Sequence, residues 1–246
     1  MEVVLTIAGS DSSAGAGIQQ DLKTIVAHGC YGATVITSIT SQNTLGVQSA
    51  MTVPPAVVAS QLSAVLTDLE PRAIKIGMLP DQSVAEAVVQ MLDGYLQSHQ
   101  AAVVYDPVMV STSGFLLMDP EAIEYIALHL FPLCTLITPN LPEAERLGDS
   151  LSPYAYLLKG GHAEGYEMTD VLYLPDGSKA AFSTPRITSR NLHGTGCALS
   201  SAIAAQFALG CSLKEAVSRA KQFVSAAIQR SVNVNIGHGN GPLLFD

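Results

Sequence analysis

The pentapeptide His193-Gly194-Thr195-Gly196-Cys197 runs directly into Ala198-Leu199-Ser200-Ser201-Ala202-Ile203-Ala204-Ala205, a strong helix-forming stretch. Two glycines let the backbone turn its N–H groups toward one point, and the helix dipole adds partial positive charge there. The junction is built to hold an anion. Cys197 falls in the first helical turn, where a thiol pKa is expected to drop and the sulfur to serve as acceptor or base. A small buried cysteine packing the helix start is the competing reading.

Other residues of chemical interest end apolar runs. Asn140-Leu141-Pro142-Glu143 sets an amide and a carboxylate three apart at a strand-to-helix junction, a spacing that also describes a plain capping box with proline in the first turn. With Asp106 at the end of another strand, two carboxylates and an amide can meet on one hydrated Mg²⁺ through a few oxygens. Lys159-Gly160-Gly161 closes a further apolar run, bringing an ammonium out beside backbone that can approach a phosphate. Asp21 and Gln42 read by default as solvated polar residues, but Gln42 carries donor and acceptor groups suited to an aminopyrimidine edge. Met78 and Val108 offer apolar walls for a flat ring, although core packing is the commoner use of such residues.

These sites need a scaffold, and the 246-residue chain supplies one. Apolar runs at 3–7, 33–37, 73–76, 102–105, 136–138, 156–159 and 171–174 alternate with amphipathic stretches and short Gly/Pro punctuation, the pattern of βα units on a mostly parallel sheet. Val58, Leu62, Val65, Leu66 and Leu69 recur at helical spacing, as do Leu213, Ala216, Val217, Ala220, Phe223, Val224, Ala227 and Ile228, and these stripes face a core. No linker or repeat divides the chain, so a single domain spanning 1–246 is expected. In such sheets ligands gather at the carboxyl ends of strands and at the helix N-termini that follow, where every motif named above lies.

Charge narrows the chemistry further. Twelve Lys+Arg against 21 Asp+Glu give a formal net charge of −9, with no basic run for a nucleic-acid backbone. Phosphate must therefore be handled by backbone amides, a metal ion and a few selected cations. Gly15-Ala16-Gly17-Ile18-Gln19-Gln20 lacks the third glycine of a dinucleotide fingerprint, and no Gly-Lys dipeptide forms a Walker loop. The N-terminus has no basic n-region and no apolar run approaches a membrane span, so a cytoplasmic protein with no membrane partner is expected. Cys30, Cys134, Cys197 and Cys211 form no C-x-x-C pair or zinc spacing.

Taken in order, the motifs resemble the hydroxymethylpyrimidine/phosphomethylpyrimidine kinases of thiamine biosynthesis, a branch of the ribokinase-like superfamily. The resemblance runs from Ala8-Gly9-Ser10-Asp11 to Gly237-His238-Gly239-Asn240-Gly241-Pro242. Its most specific parts are residues 8–24, Gln42-Asn43-Thr44, Lys75-Ile76-Gly77-Met78-Leu79, Asp106-Pro107-Val108-Met109, residues 138–143 and residues 193–200. It implies a three-layer α/β/α fold with a central mostly parallel sheet and a small flap near residues 39–53. The implied reaction moves the γ-phosphoryl group of ATP to 4-amino-5-hydroxymethyl-2-methylpyrimidine and a second to the monophosphate, with Mg²⁺ and, as a further candidate, a monovalent cation. By the same resemblance Asp21, Gln42, Met78 and Val108 line the pyrimidine pocket, and Asp106 and Glu143 hold the metal. Asn140, Lys159 and Thr195 bind nucleotide, Gly194, Gly196 and Cys197 form the anion hole and catalytic position, and a homodimer is expected. Ala14 stands where the family has glycine, Gln20 where it has a small residue, and Ser111-Thr112-Ser113-Gly114 lacks the lysine common in that loop. The competing functions are a pyridoxal/pyridoxine kinase, a catalytically idle ligand-binding regulator, and an amidase using Cys197 with His193 or His162.

Overall fold

Alternating side chains decide the layers. In strand β1 (Val3–Asp11) Leu5 and Ile7 join one core while Val4 joins another. The same division holds for Ile74 and Ile76 against Ala73 in β4 (Ala73–Ile76), and for Val103 and Tyr105 against Val104 in β5 (Ala102–Tyr105). Strands buried on both faces must be covered on both, which makes three layers. The computed structural model describes residues 1–111, 114–160 and 166–245.

The first core is closed by helices α2 (Pro55–Asp68), α3 (Gln82–Leu96) and the short α4 (Ala122–Tyr125), through Val58, Leu62, Leu66, Val84, Val88, Leu92 and Ala122. The second lies under α1 (Gly17–Ala27), α6 (Thr195–Ala208) and α7 (Leu213–Ser231). Alanine at 198, 202, 204, 205 and 208 keeps α6 slim enough to lie buried against α1, α7 and the sheet. Both expected helical stripes face a core, with Val65, Leu69, Leu213, Phe223 and Ile228 at their partly buried margins.

All described strands share one sheet in the order β3-β2-β1-β4-β5-β6-β7-β8-β9, with β2 (Tyr31–Asn43), β3 (Gly46–Thr52), β6 (Leu136–Ile137), β7 (Tyr156–Leu158), β8 (Glu167–Tyr173) and β9 (Lys179–Pro185). The run from β2 to β7 is parallel, and antiparallel pairs finish both edges. Each expected strand is present. The flap is the overhang of β2 paired with β3. Two strands have weak sequence signals for visible reasons. β3 is almost wholly exposed, and β9 alternates the exposed Lys179, Ala181, Ser183 and Pro185 with half-buried positions, of which Ala180 and Phe182 pack on the second core. β8 begins at Glu167, four residues before the expected 171, because the polar Thr169 and Asp170 interrupt its apolar run. No helix among the described residues is long and apolar enough to cross a membrane.

One buried ion pair ties these layers together beneath the strand ends. Lys75 Nζ on β4 lies 2.8 Å from Asp21 Oδ2 on α1, and Thr6 Oγ1 (2.6 Å) and Ser201 Oγ (2.8 Å) donate to the same carboxylate. All four side chains are fully buried. Burial alone would lower the Lys75 pKa, but Asp21 above all, with Cys197 and Asp106, more than offsets this and the net shift is upward. Lys75→Met should leave Asp21 as an uncompensated buried charge and cost about 3–5 kcal/mol in urea unfolding. Adding Asp21→Asn should restore part of that loss, and a single-variant loss under about 1 kcal/mol would contradict this account.

Candidate functional site

The chain turns to opposite faces of the sheet after β1 and β4, since α1 covers one face and α2 and α3 the other. A crevice opens at their carboxyl ends, where α/β sheets place ligands. Asp106 directly follows β5. Lys159 follows β7 and is bridged in parallel to Asn140, the cap of α5 (Leu141–Leu147). Lys159 Nζ lies 2.6 Å from Asp106 Oδ1 and 3.9 Å from Glu143 Oε2, so three residues from three connections meet.

The Asn140-to-Glu143 spacing forms the capping box that the plain reading expected. Asn140 Oδ1 accepts from the Glu143 amide at 2.9 Å, and Glu143 Oε2 accepts from the Asn140 amide at 2.8 Å. Capping and convergence are compatible, because the carboxylate that closes the box also faces Lys159. Burial pushes Glu143 up to about 7; Lys159 opposes this, while Asp106 reinforces it. The lysine sits closer to Asp106 and spends most of its charge there. Burial would lower the Lys159 pKa, but Asp106 and Glu143 more than offset it and the net shift is upward.

The start of α6 takes the shape that its glycines demand. Gly194 caps α6 at φ 81°, and a side chain there would collide with the Gly15 carbonyl. Thr195 begins the helix with its amide 3.3 Å from Leu192 O, leaving the Gly196 and Cys197 amides without an acceptor among the described residues. Ser200 Oγ, one turn on, stands 3.3 Å from Asp106 Oδ2, so the carboxylate lies beside the helix start. Asp106 and Glu143 are the oxygen donors a cation would find. Among the described residues no cluster of three His, Cys, Asp or Glu makes a full metal cage. Two carboxylates next to an anion hole suit a hard cation that keeps its waters and shares a phosphate.

The acceptor side is less uniform. Gln42, on the flap, points its amide nitrogen to within 3.0 Å of His193 Nε2, which lies 2.9 Å from Asp11 Oδ2. Met78 Sδ rests over Gly9, and Met78 lines a cavity of about 250 Å³ with Ser38, Thr52, Pro80 and Met118. Val108 is half-buried two residues past Asp106. Gln42 and Met78 line separate cavities, and Val108 and Asp21 line neither. The Asp21 side chain is fully buried and both oxygens are bound by Lys75, Thr6 and Ser201, which corrects the expectation of a solvated or pocket-lining residue. The expected drop in the Cys197 pKa is also corrected. Burial raises it to about 11, with Asp21 and Asp106 adding to the rise and Lys75 and the Gly17 amide only partly countering it.

Three site-building residues escaped the sequence reading. Asp11 accepts from the amides of Ser13, Gly15 and Ala16 as well as pairing with His193. Lys75 acts as described above. Asp170 accepts from the Gly160 amide at 2.8 Å and from Lys221 Nζ at 2.7 Å, fixing the backbone just beyond Lys159. Asp11 and Lys75 lie inside recognisable motifs, whereas Asp170 lies in none. Gly161, His162, Thr112 and Ser113 fall outside the described residues, and with them the amidase pairing through His162 and the center of the lysine-less loop.

Comparison with known proteins gives the following. The phosphomethylpyrimidine kinase family model matches residues 11–244. A hydroxymethylpyrimidine/phosphomethylpyrimidine kinase of Rhizobium meliloti is 44% identical, over 98% of this chain and 96% of its own length. The Escherichia coli enzyme of the same description is 40% identical over 97% and 95%. A crystal structure of phosphomethylpyrimidine kinase from Clostridium difficile superposes with a TM-score of 0.79 at 40% identity, covering 93% of this chain and all of that one. Pyridoxal kinase from Staphylococcus aureus in complex with AMP-PCP gives 0.85 at 32% identity, covering 99% and 93%.

Two outcomes are expected from this geometry. Ala14 sits at φ 60°, a conformation that costs a non-glycine residue about 1–2 kcal/mol, so Ala14→Gly should stabilise the chain by about 1 kcal/mol once the extra freedom of the unfolded glycine is deducted. Chemical denaturation measures it, and destabilisation would refute it. Alkylation at pH 8, mapped by peptide mass, should be about 100-fold slower at Cys197 than at an ordinary exposed thiol, its rate still rising toward pH 11. A plateau below pH 8 would mark the thiolate originally expected.

Proposed function

The chain belongs to the phosphomethylpyrimidine kinase family, and from that membership we infer a kinase that phosphorylates hydroxymethylpyrimidine and then its monophosphate for thiamine biosynthesis. The observation that carries the inference to this site is the meeting of Asp106, Lys159 and Glu143 beside the open amides of α6.

Phosphoryl transfer proceeds through a loose transition state, so it rests on positioning and on neutralising charge. In our reading the α6 N-terminus receives phosphate oxygens at the Gly196 and Cys197 amides, with Thr195 at the nucleotide end. Lys159 and Asn140 face the nucleotide. Asp106 and Glu143 would hold Mg²⁺, which would supply charge neutralisation to the phosphates when bound. Gln42, Met78 and Val108 orient the ring. The hydroxymethyl oxygen bonds to the γ-phosphorus as the bond from that phosphorus to the bridging oxygen of ADP breaks, and the hydroxyl proton is released. Asp21 acts from behind, by keeping Lys75 charged beneath the site.

By the resemblance to the ribokinase-like superfamily, Cys197 takes the place of the aspartate that most of its sugar kinases carry. Its thiol can only accept weakly from the hydroxyl, which suffices for a loose transition state. The second acceptor is an ionised phosphate monoester and needs still less help. Cys197→Ala should therefore slow the first phosphorylation by about tenfold and the second by less, and equal losses would sink this reading.

The deciding experiment incubates the purified chain with ATP and Mg²⁺ and, in parallel, hydroxymethylpyrimidine, its monophosphate and pyridoxal, with products identified by mass. Pyrimidine mono- and diphosphates are expected. Pyridoxal belongs in the set because pyridoxal kinase superposes so well, and product from pyridoxal alone would replace the pyrimidine reading. Nucleotide binding with no product from any acceptor would leave a ligand-binding regulator.

A further inference from the structure

Two segments take no part in the chemistry above, Asn43-Thr44 at the flap tip and Gly237-His238-Gly239-Asn240-Gly241-Pro242 near the C-terminus. They lie against each other. Thr44 Oγ1 accepts from the amides of His238 and Gly239, both at 3.2 Å, and Thr44 O accepts from the Asn240 amide at 2.9 Å. The approach is close enough that a side chain at Gly237 would strike the Thr44 hydroxyl, and one at Gly239 its carbonyl. The same segment then reaches the anion hole. Gly241 O accepts from the His193 amide at 3.1 Å, and Pro242 is bridged to His193, the residue before the Gly194 cap. The tip is fastened on a second side too, since Ser12 Oγ both donates to Gln42 O (2.7 Å) and accepts from the Gln42 amide (2.8 Å).

We propose that Thr44 is a positioning residue, clamping the flap over the acceptor pocket to the 237–242 segment so that acceptor and phosphate sites close as one unit. This rests on the kinase reading. The physical reason is stoichiometric: one side chain satisfies two amides, its backbone satisfies a third, and those three amides belong to the segment that holds His193. Binding of phosphate at α6 and seating of the flap then favour each other, as any two events coupled through one element must. Water kept out by the seated flap cannot compete with the acceptor for the phosphoryl group.

Thr44→Val removes the acceptor oxygen and keeps the shape, whereas Thr44→Ser keeps the oxygen. With valine, exchange of the His238 and Gly239 amides should quicken about tenfold, and a non-hydrolysable ATP analogue should no longer slow it. The KM for hydroxymethylpyrimidine should rise about tenfold with kcat changed less than threefold, and ATP hydrolysed per pyrimidine phosphorylated should rise severalfold. Serine should restore all of these. Faster exchange with unchanged KM and unchanged hydrolysis ratio would reduce the contact to a structural one and overturn the proposal, as would unchanged exchange. A wild-type chain that phosphorylates no pyrimidine would defeat the kinase reading. The exchange response to the ATP analogue would then still decide the coupling, supporting it if lost in valine and regained in serine, and overturning it otherwise.

Discussion

The carboxylate of Asp11 is the constraint on which the rest of the site depends. It ends β1, near the start of the chain, and binds His193, near its end, at 2.9 Å. Its other bonds go to the amides of Ser13, Gly15 and Ala16, which curl the following loop around it. That loop is what Gly194 packs against, so Asp11 holds both the loop and, through His193, the approach to the α6 N-terminus. Burial alone would raise the Asp11 pKa, yet the bonds from His193 and Ser13 outweigh it and the net shift is downward. A depressed carboxylate stabilises the fold above its unfolded pKa and loses that contribution as pH falls through the folded value. The site is therefore held firmly across the neutral range.

A chain of net charge −9 that must handle phosphate keeps its useful cations inside. Lys75, Lys159 and Lys221 are each paired with an aspartate, Asp21, Asp106 and Asp170 in turn. Paired charges in a buried setting add little to stability compared with apolar packing, but they hold their partners in one geometry. The three pairs flank α6 and the ends of β4, β5 and β7. Through them the layers of the fold fix the positions of Asp106 and of the backbone around Lys159. The phosphate-facing surface can then remain mostly amide, with Lys159 the cation facing the crevice among these three.

How much of this could be read from the sequence varied with the range of the interaction. Local patterns sufficed for the parallel strands, the two helical stripes and the capping box at Asn140, because each is decided by residues within a turn or a strand of one another. The glycine-capped start of α6 was legible because two glycines directly before a helical run mark a turn into its N-terminus. Partnerships across the chain were not legible. Asp21 reads as solvated because nothing near it in sequence reveals Lys75, 54 positions away. The pairing of Asp170 with Lys221, 51 positions away, is equally silent. β3 and β9 have weak apolar alternation because an edge strand needs only one face, or none, against the core. The thiol pKa of Cys197 was misread because the helix-dipole argument counts the amides and omits the buried neighbours.

Those neighbours give a physical reason for a thiol at this place. Cys197 feels Asp21 and Asp106 as well as Lys75, and the lysine is already committed to Asp21 at 2.8 Å. A carboxylate at position 197 would be a third negative charge in a poorly solvated corner, and one of the three would take up a proton or push its neighbours apart. A neutral thiol avoids that repulsion. The advantage grows when the acceptor itself bears a phosphate, since a charged side chain beside a dianionic substrate opposes its binding. What such a residue gives up as a base matters most for an un-ionised hydroxyl. The electrostatics around Cys197 thus favour a site that tolerates two acceptors of different charge over one tuned to a single alcohol.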